Sequence, residues 1–102
     1  MTISWCNGWQ QSSNEKHRVY IERELRWELG QVSDHPLRGR PFRIVGDLNL
    51  YDDFILLLED DGSYGYVHLV WKPASPPFKR LADVEAVQRF ISEWRGSYEP
   101  AA

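Results

Sequence analysis

The chain has 102 residues, a length typical of a single domain, and its formal net charge at pH 7 is −3. This acidic balance argues against nucleic-acid binding, because phosphates require a concentrated basic surface. The single cysteine, Cys6, excludes an intramolecular disulfide and a zinc site with several cysteines. The sequence shows neither a signal-peptide pattern nor an apolar run long enough to span a bilayer. We therefore expect one cytoplasmic domain over residues 1–102, with no membrane association.

The acidic residues are concentrated in the middle of the chain. Residues 44–71 contain six acids and no lysine or arginine, whereas nine of the 15 acids and all 12 bases lie outside this segment. Aspartate is a common turn residue, so these acids can be solvated residues of turns. Alternatively, they form an acidic edge that a basic partner recognises.

Residues 1–13 are predicted to form an N-terminal arm, because they are polar and show no hydrophobic period. The arm carries Trp5 and Trp9. Large aromatic side chains are seldom left fully exposed, so we expect both rings to lie on the body of the domain or against a neighbouring subunit.

The first helix is predicted to follow this arm, with Ser12, Ser13 or Asn14 as its N-cap and Gly30 at its end. Its core stripe has helical spacing and consists of Ile21, Leu25, Leu29 and Val32. Tyr20 and Trp27 lie together outside this stripe. They either widen the buried face of the helix or form an exposed aromatic pair that binds another molecule.

Three β-strands are predicted between residues 42 and 71. Residues 42–50 alternate between apolar and polar side chains, as in a half-buried strand. The segment from Asp53 to Glu59 is apolar at both parities, which predicts a central strand covered on both faces. A turn at Asp61-Gly62 then leads into a third strand, residues 64–71, because a tight hairpin needs the positive φ that glycine adopts.

The second helix is predicted after Asp83, which can cap it, and residues 97–102 are expected to form a frayed tail. Its apolar stripe consists of Val84, Val87, Phe90, Ile91 and Trp94. The sequence therefore predicts an α+β fold in the order helix, three-stranded antiparallel meander, helix. Because the connections are short, we expect both helices to pack on one face of the sheet.

The sequence contains no recognisable catalytic, metal-binding or cofactor-binding motif. His17, His35 and His68 do not have the spacing of metal ligands. Gly62 and Gly65 do not open a helix that could bind phosphate. We therefore predict no catalytic residue, no metal ligand and no cofactor, and we favour a non-enzymatic protein.

The candidate binding residues lie on the third strand and at the start of the second. Tyr64, Tyr66 and His68 are two residues apart and share one face of a strand, and amphipathic rings are enriched at recognition surfaces. Asp52 and Asp53 supply negative charge beside them. If the helices cover the opposite face, this face needs the N-terminal arm, a second copy of the chain or a foreign partner as its cover.

The hairpin also carries a resemblance. Asp52-Asp53 precede an apolar strand, Asp61-Gly62 form the turn, and Val67-His68-Leu69 is followed by Trp71. With these features, residues 35–71 resemble a group of small bacterial proteins of unknown activity. The resemblance implies a bacterial cytoplasmic protein with a shared fold, and it brings no activity and no site residue.

Our leading prediction is a protein-interaction module, such as a small acidic adaptor, inhibitor or immunity-like factor. It would bind a protein partner, or a second copy as a homodimer, through the aromatic face of residues 64–71 or the acidic hairpin edge. One alternative is a small ligand-binding or hydrolytic domain with a pocket near His68. The other is nucleic-acid binding through the arginines outside the acidic segment, namely Arg18, Arg23, Arg26, Arg38, Arg40 and Arg43.

Overall fold

The computed structural model describes residues 2–48 and 52–95, which form an antiparallel sheet with a helix on each face. The elements in chain order are β1 (Gln10–Gln11), α1 (Glu15–Gly30), β2 (Phe42–Asp47), β3 (Asp53–Leu58), β4 (Tyr64–His68), β5 (Phe78–Leu81) and α2 (Val84–Ser92). The five strands are hydrogen-bonded in sequence order, so the sheet is a simple meander. In the described part of the chain, no helix is long and apolar enough to cross a membrane.

The prediction of a three-stranded meander is wrong, because the sheet has an additional strand at each edge. β1 pairs with the end of β2 through only two residues, both polar and exposed. β5 pairs with β4 and carries two exposed bases, Lys79 and Arg80. Short, polar edge strands discourage unwanted pairing with other chains, and the same properties remove the hydrophobic alternation that would reveal them in a sequence.

The prediction that both helices pack on one sheet face is also wrong. The α1 side of the sheet has its own core, made of Ile21, Leu25, Leu29, Leu37, Phe42, Ile44, Phe54, Leu56, Leu58, Val67 and Leu69. The α2 side has a second core, made of Trp9, Ile55, Tyr66, Leu81, Val87 and Ile91. β3 is the central strand and supplies buried side chains to both cores, as its apolar residues at both parities predict.

The N-terminal arm is part of the α2-side core. Trp9 is buried and makes edge-to-face contacts with the rings of Tyr66 and Trp94, at centroid distances of 6.2 and 5.2 Å. Trp5 lies so close to Gly46 that a Cβ at this glycine would collide with the indole. The rings of the arm therefore cover the sheet, as we expected from the sequence.

The predicted ends of the elements are right in part. Asn14 caps α1 by accepting a hydrogen bond from the His17 N–H at 3.0 Å, and Asp83 caps α2 in the same way from Ala86 at 2.9 Å. Gly62 has a φ of +76° in the hairpin turn, as predicted. The third strand ends at His68 rather than at residue 71. The predicted strand residues 49–50 and the tail 97–102 lie outside the described residues.

Candidate functional site

Three of the sequence-predicted site residues meet in one hydrogen-bonded group. Asp53 and His68 are direct neighbours across β3 and β4. The Asp53 Oδ1 atom accepts a hydrogen bond from the Tyr66 hydroxyl at 2.7 Å and lies 2.8 Å from His68 Nδ1. Tyr66 is only 2% exposed and Asp53 is buried, whereas the His68 side chain is 39% exposed. The group therefore holds β3 and β4 together, with only the histidine reaching solvent.

The other two predicted residues lie apart from this group. Tyr64 is half-buried at the edge of the α2-side core. The Asp52 Oδ1 atom accepts a hydrogen bond from the indole Nε1–H of Trp71 at 2.6 Å. Asp52 therefore belongs to the surroundings of Trp71.

The acidic hairpin edge is paired with the protein's own arginines. The Arg40 guanidinium donates to both carboxylate oxygens of Asp60, at 2.9 and 2.8 Å, and to Asp61 at 3.2 Å. Arg80 lies 3.6 Å from Asp61. Hydrogen bonds from the Ser63 hydroxyl and N–H, together with Arg40, lower the pKa of Asp61 to about 2. The charge that the hairpin offers to a partner is smaller than the sequence suggests.

Three aromatic rings line a cleft at the surface, which we call the aromatic cleft. Tyr20, Trp27 and Trp71 line it together with Arg23 and Glu24, and its volume is about 450 Å³. The three aromatic residues are 56, 48 and 42% exposed. The rings of Tyr20 and Trp71 lie 6.2 Å apart between centroids and are tilted by 31°. Tyr20 and Trp27 therefore do not widen the buried face of α1, because both rings are exposed.

Helical spacing places one side of the aromatic cleft on α1. Tyr20, Arg23 or Glu24, and Trp27 follow one another at intervals of three or four residues, so they lie on one face of the helix. The opposite side of the cleft is Trp71, which follows β4 after the strand has left the ladder. Two elements that are distant in sequence therefore meet at this surface.

Trp71 is held at the cleft by a buried carboxylate on α1. Glu28 is 0% exposed; its Oε1 accepts the Val70 N–H at 3.1 Å and its Oε2 accepts the Trp71 N–H at 2.9 Å. Trp71 has a φ of +57°, a left-handed conformation that is unfavourable for a bulky side chain. The carboxylate replaces the strand ladder as acceptor for these two backbone donors, which ends the strand and turns Trp71 towards α1.

The environment of Glu28 opposes its ionisation. Burial raises its pKa from the ordinary value of 4.5 to about 7, and the carboxyl of Glu24, one helical turn earlier, acts in the same direction. The two backbone N–H donors oppose this increase. Glu28 is not among the residues predicted from the sequence, although a signal exists: it lies seven positions after Ile21 and three after Leu25, within the core stripe.

The other two histidines, His17 and His35, are not part of a metal-binding group in the described part of the chain. His35 Nδ1 accepts the Leu37 N–H at 3.0 Å, so its Nε2–H donates to the Pro76 carbonyl at 2.7 Å. The Nε2 atom of His17 is buried and has no hydrogen-bond partner in the described part of the chain. Across residues 2–48 and 52–95, no three His, Cys, Asp or Glu side chains cluster closely enough to hold a metal ion.

The Asp53 group and the aromatic cleft differ in how much of each is exposed to solvent. The Asp53 group combines an acid, a base and a hydroxyl, but Tyr66 is buried and its ring packs against Trp9 and Trp94. The aromatic cleft instead presents large rings and charged side chains to solvent. Comparison of the chain with protein families, with curated proteins and with solved structures finds no match.

Proposed function

We propose that the protein is a non-enzymatic interaction module that binds a segment of another protein in the aromatic cleft. The observation that carries this proposal is the convergence of three half-exposed rings from two separate elements around one opening. Tryptophan and tyrosine are the residues that contribute most to binding at protein interfaces. The volume of about 450 Å³ lies within the range of pockets that bind small ligands.

The way in which Trp71 is held supports the same proposal. A left-handed conformation at a bulky residue costs about 1–3 kcal/mol, and a buried carboxylate adds a desolvation penalty. Both features place an indole at the surface, where it contributes less to the core than a buried ring would. Strain of this kind is found preferentially at functional sites.

The surfaces favoured at the sequence level are weaker candidates. The face of β4 that carries Tyr66 packs against Trp9 and α2. The hairpin acids are bonded to Arg40 and Arg80. We therefore keep the proposed class, a protein-interaction module, and move the binding surface to the other side of the sheet. The resemblance of the hairpin supports a bacterial cytoplasmic setting for the partner.

Capture of partners by an immobilised protein tests this proposal. The Trp27→Ala variant removes one ring of the aromatic cleft, and Val19→Ala is the matched control, because Val19 is equally exposed on α1 but does not line the cleft. Wild type and Val19→Ala should retain the same protein from cells that produce the chain, and Trp27→Ala should lose it. Equal retention by all three would contradict the proposal. Loss of a wild-type dimer in Trp27→Ala, measured by light scattering, would instead make the cleft a contact between copies.

A further inference from the structure

We propose that the segment bound in the aromatic cleft inserts a lysine or arginine side chain among the rings of Tyr20, Trp27 and Trp71. This inference rests on the proposed function and names the chemistry of the partner. It is carried by the rings, by the acids around them and by the position of the chain's own bases.

The rings provide surfaces that attract a cation. The face of an aromatic ring carries negative electrostatic potential, and indole is the strongest of the natural rings in this respect. The indole N–H of Trp71 donates to the Asp52 carboxylate at 2.6 Å. A charge-assisted hydrogen bond of this length polarises the donor and increases the electron density of its ring. Trp71 is therefore a better cation acceptor than an unbonded tryptophan.

One acid and one base line the cleft, and two further acids are bonded to Trp71. Glu24 lines the cleft, and Asp52 and Glu28 are bonded to Trp71 through its side chain and its backbone. Arg23 is the base in the lining, and Lys72, the residue after Trp71, lies outside the lining. Glu24 in the lining and Asp52 beside the Trp71 indole can each pair with a positively charged occupant.

The chain's own bases do not occupy the rings. Within residues 2–48 and 52–95, the cation found over a ring is Arg26, which lies 4.1 Å from the centroid of Phe42 on β2. Arg23 forms no ion pair within this part of the chain, although it lines the cleft. The positions that a cation would take over Trp27 and Trp71 are open to a partner.

A long base also fits the mixed character of the cleft. The methylene stem of lysine or arginine packs on apolar rings while its charged group stays beside an acid. A purely apolar side chain would cover Glu24 without pairing it, at a desolvation cost. An acidic side chain would pair with Arg23 but would be repelled by Glu24 and by Asp52 beside the Trp71 indole.

Titration of the isotopically labelled protein, followed by the indole N–H resonances in NMR spectra, tests this inference. The probes are two acetylated and amidated Gly-Ser peptides that differ only in a central lysine or norleucine. The lysine peptide should shift the Trp27 and Trp71 resonances with a dissociation constant about two- to fivefold lower than that of the norleucine peptide. Equal affinities, or no shift with the lysine peptide, would overturn the inference.

Two charge variants sharpen the test. Glu24→Gln should weaken binding of the lysine peptide and Arg23→Gln should strengthen it, because each changes the charge of the cleft without removing a ring. The opposite pattern would assign the cleft to an acidic segment.

If norleucine and lysine peptides bind equally and Trp27→Ala abolishes both, this inference fails while the proposed function stands. If Trp27→Ala leaves partner capture unchanged, the proposed function itself fails.

Discussion

The buried carboxyl group of Glu28 makes folding stability depend on pH. Its pKa in the folded protein is about 7, against an ordinary value of 4.5, chiefly because it is buried. The folded protein therefore binds this proton more tightly than the unfolded chain does. The free energy of unfolding should rise as the pH falls from about 7 to about 4.5, and this contribution should be lost as the pH rises through 7.

The magnitude follows from the two pKa values. Each tenfold difference in proton affinity corresponds to about 1.4 kcal/mol, so the interval from 4.5 to about 7 gives at most about 3 kcal/mol. Glu28 lies behind the open aromatic cleft, and solvent there screens part of the effect. We therefore expect Glu28 to change the free energy of unfolding by about 1–2 kcal/mol between pH 8 and pH 5.

Urea unfolding of wild type and Glu28→Gln, followed by tryptophan fluorescence at about pH 5 and about pH 8, measures this contribution. Glutamine does not titrate, but it also has only one of the two acceptor oxygens that Glu28 offers to Val70 and Trp71. The variant can therefore be less stable at every pH, and the quantity to compare is the change in the free energy of unfolding between the two pH values. The pH dependence should be smaller in Glu28→Gln by about 1–2 kcal/mol. Glu59→Gln, at an exposed turn residue, is the control and should behave as wild type. Identical pH dependence in wild type and Glu28→Gln would refute the reasoning.

Three further predictions concern the core. Gly65→Ala should lower the free energy of unfolding by about 1–3 kcal/mol in urea melts, because the new Cβ would collide with the Phe78 ring; unchanged stability would contradict this contact. Asp53→Ala should cost about 1–3 kcal/mol by leaving the buried Tyr66 hydroxyl without this acceptor, and adding Tyr66→Phe should recover part of the loss; strictly additive losses would argue against the bond. Trp9→Ala should cost about 3–5 kcal/mol in thermal or urea unfolding, and a loss below about 1 kcal/mol would show that the arm is dispensable.

The features that the sequence predicts correctly depend on local rules. Asn14 and Asp83 cap the two helices because a short side-chain oxygen satisfies a nearby backbone donor. Gly62 lies in the hairpin turn because that position requires a positive φ. The central place of β3 follows from apolar residues at both parities, which need two covers.

The features that could not be predicted depend on contacts between distant segments. β1 and β5 are strands only because β2 and β4 offer them free edges, and their own residues carry little hydrophobic pattern. Because β3 is apolar on both faces, a helix on each face is consistent with its sequence. Hydrophobic periodicity does not show which helix packs on which side of the sheet. The partnership of Glu28 with Trp71 joins residues 43 positions apart, and no local rule connects them.

The candidate site likewise combines a feature that local spacing predicts with one that depends on a contact between distant segments. Spacing alone brings Tyr20 and Trp27 to one face of a helix and leaves two options, burial or exposure. In the structure both rings are exposed, and they lie beside Trp71. Trp71 reaches this surface because the chain leaves the β4 ladder and bonds to Glu28. Aromatic character alone favours Tyr64 and Tyr66 as binding residues, but Tyr66 is buried because the N-terminal arm covers it.

The measurement that tests the central claim most directly is a chemical-shift map of the labelled protein bound to its captured partner. The account predicts perturbations centred on Tyr20, Arg23, Trp27 and Trp71, with a lysine or arginine of the partner near the two indoles. Perturbations centred on α2 or on the hairpin acids, with the aromatic cleft unchanged, would contradict it.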